Sequence, residues 1–357
     1  MTDTPARVGI VGCGDVTNLY LPGCARFPVI ELAACADLDV ERADALSRRG
    51  GFPALPIDEL LADPTIEVVL NLTPPAAHAA ITLAALAAGK HVYSEKPLAT
   101  TRADALELLA AARAADRRLG AAPDTFLGGG LQTARALIDE GAIGEPVTAS
   151  GTVAHLGPER WHPNPGIFYA AGGGPLLDVG PYYVAALISL LGPVRRVTAV
   201  GRGVGDTRVI ASGPRAGATV TAAVPTTVVG ALEFAAGAVG SLTASFDVVA
   251  SVAPNLEIHG TTGSLHLGDP NTFDGAVRYR ARGADRWEDV PLRFDGSVGR
   301  GVGLADLITG VRSATPHRAS AEFAFHVLDV LLGLEAAVGS ARWEPIDSTT
   351  ERPVPLD

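Results

Sequence analysis

A glycine-rich turn near the amino terminus has the residue types and spacing to hold a pyrophosphate. The segment Gly12-Cys13-Gly14-Asp15-Val16-Thr17 follows a short apolar run and precedes a helix-like stretch. Gly12 permits a tight turn, and Gly14 lets backbone N–H groups approach a pyrophosphate at the start of the helix. Thr17 replaces the third glycine of the usual pattern, and such a motif is weak evidence when it stands alone. The alternative is a tight strand–helix turn in a domain that binds no cofactor.

An acidic residue follows where a dinucleotide site requires one. Asp37 ends the second apolar run, roughly 20 residues after the glycines, where a carboxylate accepts the ribose hydroxyls of an adenosine. Leu38 comes next, rather than an arginine that would accommodate a 2′-phosphate. The pattern therefore predicts that NAD binds here in preference to NADP.

A lysine stands where an open parallel sheet binds its ligands. Glu95-Lys96-Pro97 comes directly after the fourth predicted strand, at the carboxyl edge of the sheet. Pro97 fixes the turn, and a cis Lys96–Pro97 bond is compatible with it. Lys96 would then point from a rigid turn toward a ligand. The alternative is a solvated surface lysine.

Short apolar runs alternate with helix-like stretches over the first 125 residues. The predicted helix over 102–115 begins with Thr101 and Asp104 as a capping box, and that over 76–88 ends at Gly89. Apolar runs separated by helices indicate a doubly wound α/β domain, whose parallel sheet is covered on both faces. The predicted strands are 8–11, 31–36, 67–72, 91–94 and 118–122.

After about residue 128 the pattern becomes mostly β. Runs at 219–223, 227–234 and 239–246 predict an antiparallel meander, and 256–259 with 263–267 predicts a further hairpin. Helices are predicted over 131–140, 302–313 and 320–338. We therefore divide the chain into a dinucleotide-binding domain, 1–127, and an α+β domain, 128–357.

Four motifs, in their order along the chain, resemble the Gfo/Idh/MocA oxidoreductases, the relatives of glucose–fructose oxidoreductase and inositol dehydrogenase. They are Gly12-Cys13-Gly14, Asn71-Leu72-Thr73-Pro74 with His78, Glu95-Lys96-Pro97, and Gly172-Gly173-Gly174-Pro175-Leu176-Leu177-Asp178-Val179-Gly180. The resemblance covers residues 8 to about 192. It implies a Rossmann domain, then an α+β domain with a large open-faced, mostly antiparallel sheet. It also implies a bound nicotinamide cofactor and a sugar, inositol or derivative as substrate.

The same resemblance implies catalytic roles for three residues. Lys96 matches the lysine that hydrogen-bonds the reacting oxygen, and Asp178 matches the second active-site residue. Tyr182 follows four residues later, where most members have histidine and a subset has tyrosine. We expect Asp178 and Tyr182 on one face of one helix, with Lys96 lowering the pKa of the phenol so that it acts as the base. The alternative for Tyr182 is a core or interface aromatic.

Other residues complete the expected site. Thr73 and Pro74 would line the ribose and nicotinamide, while His78 would contact the cofactor or serve in packing and capping. Asp124 would bind substrate hydroxyls or cap the turn that follows it. Trp161 and His162 would stack on a sugar ring, or Trp161 would anchor its loop from the core. The full cofactor set is Gly12, Gly14, Asp15, Val16, Asp37, Thr73, Pro74, His78, Glu95 and Lys96, and the substrate set is Lys96, Asp124, Trp161, His162, Asp178 and Tyr182.

The composition argues against several classes of protein. The 357 residues carry a net charge of −11, which disfavours binding to nucleic acid or anionic membranes. No uninterrupted apolar run approaches the roughly 18 residues of a membrane-spanning helix, and no apolar signal segment precedes the first strand. Cys13, Cys24 and Cys35 lack metal-ligand spacing, so we expect reduced thiols, no metal site and a cytoplasmic location.

These observations lead us to expect an NAD-dependent enzyme that oxidises a secondary alcohol of a sugar or cyclitol, or reduces the matching ketone. One alternative oxidises, eliminates a substituent and re-reduces, so that the cofactor is recycled. Another is a cofactor-binding sensor without catalysis. An open sheet face must be covered, which predicts a homodimer or homotetramer.

Overall fold

The computed structural model describes residues 4–356 and divides them into two compact units. The first unit runs to Gly128 and also contains Ser297–Leu328, and the second contains Gly129–Gly296 and Asp329–Pro355. Residues 1–3 and 357, which our two domains included, lie outside the described residues. The first boundary lies one residue from the one we expected, but 297–328, which we had assigned to the second domain, packs within the first unit.

The first unit is built on a five-stranded parallel sheet, with strand order β2-β1-β3-β4-β5. The strand order reverses between β1 and β3, which is where the carboxyl ends of strands open into a ligand crevice. At the outer edge of β2, the backbone N–H of Cys35 donates to Pro53 O (3.0 Å), and Cys35 O accepts from Leu55 N (2.9 Å). These bonds pair the short segment around Ala54 with the edge of the sheet. The strands are β1 Ala6–Val11, β2 Ile30–Ala36, β3 Val68–Asn71, β4 His91–Ser94 and β5 Leu119–Ala121. This is the doubly wound sheet that the sequence predicts.

Helices connect these strands, and local side chains fix where two of them begin. Asp39 caps the second helix by accepting from Glu41 N (3.1 Å) and Arg42 N (3.3 Å). Thr101 Oγ1 accepts from Asp104 N (3.1 Å), which confirms the expected cap. The helices are α1 Thr17–Cys24, α2 Val40–Gly50, α3 Ile57–Ala62, α4 His78–Ala87 and α5 Arg102–Ala114.

The second unit contains a large, mostly antiparallel sheet, as expected. Nine strands form it in the order β15-β14-β13-β12-β6-β11-β10-β7-β16, with β6 and β11 as a parallel pair. Every residue of α9 is buried, and Gly151 on β6 lies against the ring of Tyr183 on that helix. The helices are α6 Gly129–Asp139, α7 Gly166–Tyr169, α8 Gly174–Asp178 and α9 Gly180–Leu191. The strands are β6 Pro146–Ala154, β7 Val194–Arg202, β8 Thr207–Val209, β9 Thr219–Thr221, β10 Thr227–Phe234, β11 Val239–Ser245, β12 Leu256–Gly260, β13 Gly263–Leu267, β14 Val277–Ala281, β15 Glu288–Val290 and β16 Glu344–Pro345.

One predicted strand takes a different partner. β10 pairs with β11, and β12 with β13, as the sequence predicts. The run near 219–223 was expected to join the meander, but β9 pairs with β8 in a separate two-stranded ribbon. The expectation was wrong because β9 presents exposed threonines on either side of a single half-buried valine, and so has little apolar surface to bury in the large sheet.

Two long helices lie between β15 and the last strand, β16. They are α10 Val302–Ser313 and α11 Ala321–Ser340. One helix among residues 4–356, α11, is long and apolar enough to cross a membrane by length and composition alone. Charged residues interrupt its apolar sequence. Within the fold, 61% of its most apolar 18-residue stretch is buried. His326 and Asp329 lie in its buried part, and a core helix of a globular protein meets the same length criterion. The sequence predicts a helix over 320–338, but its charged residues break the apolar run, so the membrane criterion applied to the sequence did not select it.

Candidate functional site

The glycine-rich turn has the shape of a phosphate cradle. Gly12 has φ +97°, and a Cβ there would stand 2.6 Å from both Leu72 C and Thr73 N, so the position requires glycine. At Gly14 a Cβ would meet nothing within 4 Å, and the turn is open on that side. Within residues 4–356, the backbone N–H groups of residues 14–16 have no protein acceptor. These donors, at the start of α1, suit a pyrophosphate.

Thr17 fits the place of the missing third glycine. Its hydroxyl donates to Gly14 O (2.7 Å) and accepts from Arg49 Nη2 (3.0 Å), and the residue is buried. The side chain therefore folds back onto its own turn and leaves the N–H groups accessible.

Asp37 is held by backbone donors beside this turn. Its Oδ2 accepts from Cys13 N (2.7 Å), and its Oδ1 accepts from Asp39 N (2.9 Å). The carboxylate borders a cavity of about 620 Å³ whose lining is mainly apolar, with Leu38 92% exposed at its rim. Asp44 and Asp58 also line it. An apolar cleft with carboxylates suits adenosine and repels an added 2′-phosphate.

The loop after β3 is organised by a buried asparagine. Asn71 Nδ2 donates to His78 O and to Thr82 Oγ1, both at 3.1 Å. Its Oδ1 accepts from Thr73 N (3.2 Å) and Thr73 Oγ1 (2.7 Å). Thr73 is thereby fixed at the carboxyl edge, with Pro74 exposed beside it.

His78 packs beneath the loop after β3 and contacts its backbone. It is fully buried, with Nδ1 2.7 Å from Pro97 O and Nε2 2.8 Å from Thr73 O. Burial lowers the pKa of the imidazole. Because both ring nitrogens face backbone carbonyls, the geometry favours the packing alternative over a direct cofactor contact. The ring ties the Thr73 loop to the Lys96 loop.

The Lys96 turn is clamped by its neighbour. Glu95 is buried and accepts from Tyr20 Oη (2.9 Å) and from Lys96 N (2.9 Å). The Lys96–Pro97 bond is cis, and Lys96 is half-buried. Tyr20 lies on α1, the helix that begins at the phosphate cradle, and sequence reasoning did not identify it. The cradle and the lysine turn are therefore braced against each other.

Asp124 has a role that neither sequence-based alternative described. It is fully buried, and its Oδ2 accepts from Gly301 N and Gly303 N, both at 3.1 Å. Its Oδ1 lies 3.5 Å from Arg300 Nη1. Asp124 therefore caps the start of α10, where N–H groups need acceptors, rather than its own turn, and it lacks the exposure needed for substrate hydroxyls. Burial raises the pKa of this carboxyl, against the opposing effect of Arg300.

In the second unit, Asp178 and Tyr182 lie on successive helices. Asp178 is the last residue of α8, Tyr182 stands in the first turn of α9, and Val179 joins the two helices. We expected one helix, but Pro181 has no N–H to continue the i to i−4 ladder. Val179 keeps helical dihedral angles (φ −106°, ψ −29°), so the break is small. Tyr183, the neighbouring aromatic, is the deeper one and accepts from Asn255 Nδ2 (2.9 Å).

Trp161 is exposed and lies against the half-buried rings of His162 and Phe168. Trp161 is 63% exposed, which rules out the alternative of a buried loop anchor. The His162 ring lies 5.4 Å from that of Trp161 and 5.0 Å from that of Phe168, both edge-on. Such a surface suits the apolar face of a sugar ring.

A charged network holds this loop, and no local sequence pattern revealed it. Glu159, just before Trp161, accepts from Tyr169 Oη and lies 3.8 Å from Arg208 Nη1. Arg208 also pairs with Asp247, which accepts from Thr226 Oγ1 at 2.8 Å. Because Asp247 follows β11 and Thr226 precedes β10, the network ties the aromatic loop to the large sheet.

Comparisons with known proteins match both units to a single family. Residues 6–122 match the model described as the oxidoreductase family, NAD-binding Rossmann fold. Residues 131–266 match the GFO/IDH/MocA C-terminal domain. Together the two models cover more than half of the chain.

Curated relatives and a solved structure that are similar to this chain are also oxidoreductases by name. The dTDP-3,4-didehydro-2,6-dideoxy-alpha-D-glucose 3-reductase of Streptomyces violaceoruber is 38% identical over 54% of this chain and 56% of its own length. The match thus spans little more than half of that relative. The 1,5-anhydro-D-fructose reductase of Ensifer adhaerens is 29% identical over 80% of this chain and 83% of its own length. An NAD binding oxidoreductase from Klebsiella pneumoniae superposes with a TM-score of 0.82 at 25% identity, covering 96% of this chain and 99% of that one.

The sequence motifs, the folds of the two units and the two family models all indicate the same family. The chain belongs to the Gfo/Idh/MocA oxidoreductase family, with an NAD-binding Rossmann domain followed by the family's C-terminal domain.

Proposed function

We propose that this protein is an NAD-dependent oxidoreductase that interconverts a secondary alcohol and a ketone on a sugar, a sugar derivative or a cyclitol. The observation that carries the proposal is the cradle of backbone N–H groups at residues 14–16 braced, through Tyr20 and Glu95, to the Lys96 turn. Two relatives are named reductases of sugar derivatives, which supports the substrate class.

The residues present fit a nicotinamide dinucleotide. Gly12, Gly14, Asp15 and Val16 would receive the pyrophosphate, and Asp37 would accept the adenosine ribose hydroxyls. Thr73, Pro74 and Glu95 would line the nicotinamide end. The bound cofactor would supply or accept the hydride.

The chain itself would handle the proton and the oxygen. Lys96 would donate a hydrogen bond to the reacting oxygen, and Tyr182 would exchange the proton at that oxygen. Asp178 would orient the substrate or the phenol of Tyr182. Removal of the hydroxyl proton is required because a carbinol carbon gives up hydride only as its oxygen loses that proton. Trp161 and His162 would stack on the sugar ring.

The first test follows absorbance of the reduced nicotinamide, with purified protein, NAD and pooled aldoses, sugar acids and inositols. We expect a rise with the natural chain and with Arg286→Ala, an exposed control. Lys96→Ala should lower the rate by about 10²- to 10⁴-fold, the usual contribution of a positioned proton-transfer or polarising group. An equal rate in Lys96→Ala would contradict the proposed chemistry. Product formation without net NADH would favour the recycling alternative, and tight NAD binding without turnover of any compound would favour the sensor.

We also propose that a second copy of the chain covers the open face of the large sheet. Val200 and Val229 are directly paired across β7 and β10, and both are exposed, as is Val239. An exposed apolar pair such as Val200 and Val229 on a sheet face is typical of an interface. Sedimentation should give a dimer or tetramer that Val229→Lys weakens, and a monomer at micromolar concentration would contradict this.

A cytoplasmic location remains our proposal. Cys13, Cys24 and Cys35 are buried and form no disulfide, as expected for a protein of a reducing compartment. Fractionation of the source cells with an antibody to this chain would test it, and recovery outside the cytoplasm would contradict it.

A further inference from the structure

The first unit has a second cavity at the opposite edge of its sheet. It measures about 550 Å³ and opens at the amino-terminal ends of β4 and β5, away from the carboxyl ends that bear Lys96 and Asp124. The last turns of α5 and α10 and the first turn of α11 form its walls. Volumes of several hundred Å³ are those of small-molecule sites.

Three arginines line this cavity in a protein whose net charge is −11. Arg113 is exposed and pairs with Glu322 (3.3 Å). Arg117 donates to Gly89 O (2.6 Å) and Asp116 O (2.9 Å), which fixes its guanidinium at the rim. The Arg118 guanidinium has neither a hydrogen bond nor an ion pair within residues 4–356. Arg118 is half-buried as a residue, and an arginine without a counter-charge beside a cavity is suited to bind an anion.

Two histidines stand beside Arg118. His91 Nδ1 accepts from Arg118 N (2.8 Å), so the ring proton of the neutral form lies on Nε2, as a donor. His317 Nε2 donates to Leu119 O (3.2 Å). Burial, then Arg117 and Arg118, lower the pKa of His91 to about 4, and burial lowers that of His317. Both rings are therefore neutral near pH 7 and add no charge. The Nε2–H of His91 is left as a donor, whereas that of His317 is already used by Leu119 O.

The nearby carboxylates do not neutralise Arg118. Glu322 is engaged with Arg113, and Asp116, which also lines the cavity, is exposed and forms no ion pair with Arg118. Glu67 pairs with Arg312 (2.8 Å), and Asp306 pairs with Arg318 (2.5 Å). The positive charge of Arg118 thus remains available to a ligand.

We propose that this cavity binds a phosphate group, either inorganic phosphate or the phosphomonoester of a small metabolite. Arg118 and the Nε2–H of His91 would donate to its oxygens, and Arg117 would add a second positive charge. A dianionic group matches this arrangement better than a monocarboxylate, since the guanidinium groups of both Arg117 and Arg118 would face it. The site is separate from the cofactor cradle and does not depend on the proposed reaction.

The experiment measures phosphate binding to the NADH-saturated protein, so that the cradle at residues 14–16 cannot bind the added phosphate. Inorganic phosphate and glycerol phosphate are titrated in separate arms, with acetate as the carboxylate arm. Calorimetry gives the affinity, and NMR of the histidine rings, assigned with His91→Gln and His317→Gln, gives their pKa values. We expect one saturable site and a rise of about one unit in the pKa of His91, because a bound anion favours the imidazolium.

Variants separate charge from folding. Arg118→Gln should weaken binding about 10- to 100-fold, the loss expected for a charge-assisted hydrogen bond, and Arg118→Lys should lose less. Arg286→Gln, an exposed arginine of the second unit, should bind like the natural chain. Thermal melts without phosphate show whether each variant is folded. If Arg118→Gln fails to fold, the comparison rests on Arg118→Lys and His91→Gln.

Three results would overturn the proposal. One is no saturable binding of either phosphate compound up to tens of millimolar. Another is equal phosphate affinity in every folded Arg118 and His91 variant and in the natural chain, which would mean that Arg118 only offsets the negative ends of α5 and α10. The third is equal affinity for acetate, which would assign the cavity to carboxylates. If the glycerol phosphate arm is tighter than the inorganic arm, the natural ligand is a phosphomonoester.

Discussion

The cofactor edge of the first unit and the aromatic loop of the second are built by different means. At the cofactor edge, the functional atoms are backbone N–H groups or side chains held by the backbone, as Asp37 is by Cys13 N and Asp39 N. In the loop, Trp161 is exposed, and a network of charged side chains around Arg208 holds its surroundings. Backbone atoms are the same for any sequence, so they suit a common cofactor. Side chains in a loop can be exchanged, which suits substrate specificity.

The largest expected effect is on the backbone of the glycine-rich turn at the cofactor edge. Gly12→Ala puts alanine in a backbone conformation of φ +97° and places its Cβ 2.6 Å from backbone atoms of Leu72 and Thr73. The substitution should lower the free energy of unfolding by about 3 to 5 kcal/mol. Gly14→Ala has open space and should change stability by less than about 1 kcal/mol while weakening NADH binding. Urea unfolding without cofactor and NADH fluorescence check both. Equal stability of the two variants would show that the turn is adaptable.

The next largest effect is expected in the charged network that holds the aromatic loop of the second unit. Arg208→Met removes the cation between Asp247 and Glu159 and leaves two carboxylates without it, which should cost about 3 kcal/mol. NADH affinity should stay within twofold, because the cradle lies in the other unit. The checks are urea unfolding and NADH fluorescence. A loss of NADH binding in a folded variant would contradict the separation of the two regions.

A smaller effect concerns Asp124, whose carboxyl pKa is raised by burial. As the pH rises, the Asp124 carboxyl ionises in the unfolded chain, at a pKa of about 3.9, before it ionises in the folded protein. The free energy of unfolding therefore falls between these two pKa values and changes no further above the higher one. Asp124→Asn lacks this loss. The difference in unfolding free energy between the natural chain and Asp124→Asn should therefore shift against the natural chain as the pH rises from 4 to 7. Urea unfolding across that range measures it, and a parallel pH dependence would refute the assignment.

The smallest effect on stability is expected at Trp161. Its exposed ring makes Trp161→Ala cost less than about 0.5 kcal/mol. Loss of a stacking surface should raise KM for the sugar about tenfold with little change in NADH affinity. Steady-state kinetics with each substrate found in the pooled screen check this. Trp161→Phe, which keeps a ring, should recover most of the affinity, and an unchanged KM in both variants would remove Trp161 from the site.

Local patterns predicted the elements of the first unit closely, and they did less well in the second. β1 to β5 and α5 end within about two residues of their predicted bounds because each apolar run and cap is continuous in the sequence. β6, β7 and β14 alternate small, threonine or arginine residues with apolar ones, and no strand was predicted there. The helix expected to carry both Asp178 and Tyr182 divides at Val179 because Pro181 interrupts the backbone ladder.

The glycine turn, Asp37, the Lys96 motif and the family were all recognisable from the amino-acid sequence, because each depends on residues close together in the chain or on their order along it. Only the folded chain shows that 297–328 packs in the first unit and that Asp124 caps α10 through Gly301 and Gly303. The fold also joins Tyr20 to Glu95, and it brings Arg118 beside His91 and His317. These partners lie tens to hundreds of residues apart. A hydrogen bond or cavity between such segments leaves no periodic signal in either one, so only the folded chain reveals it.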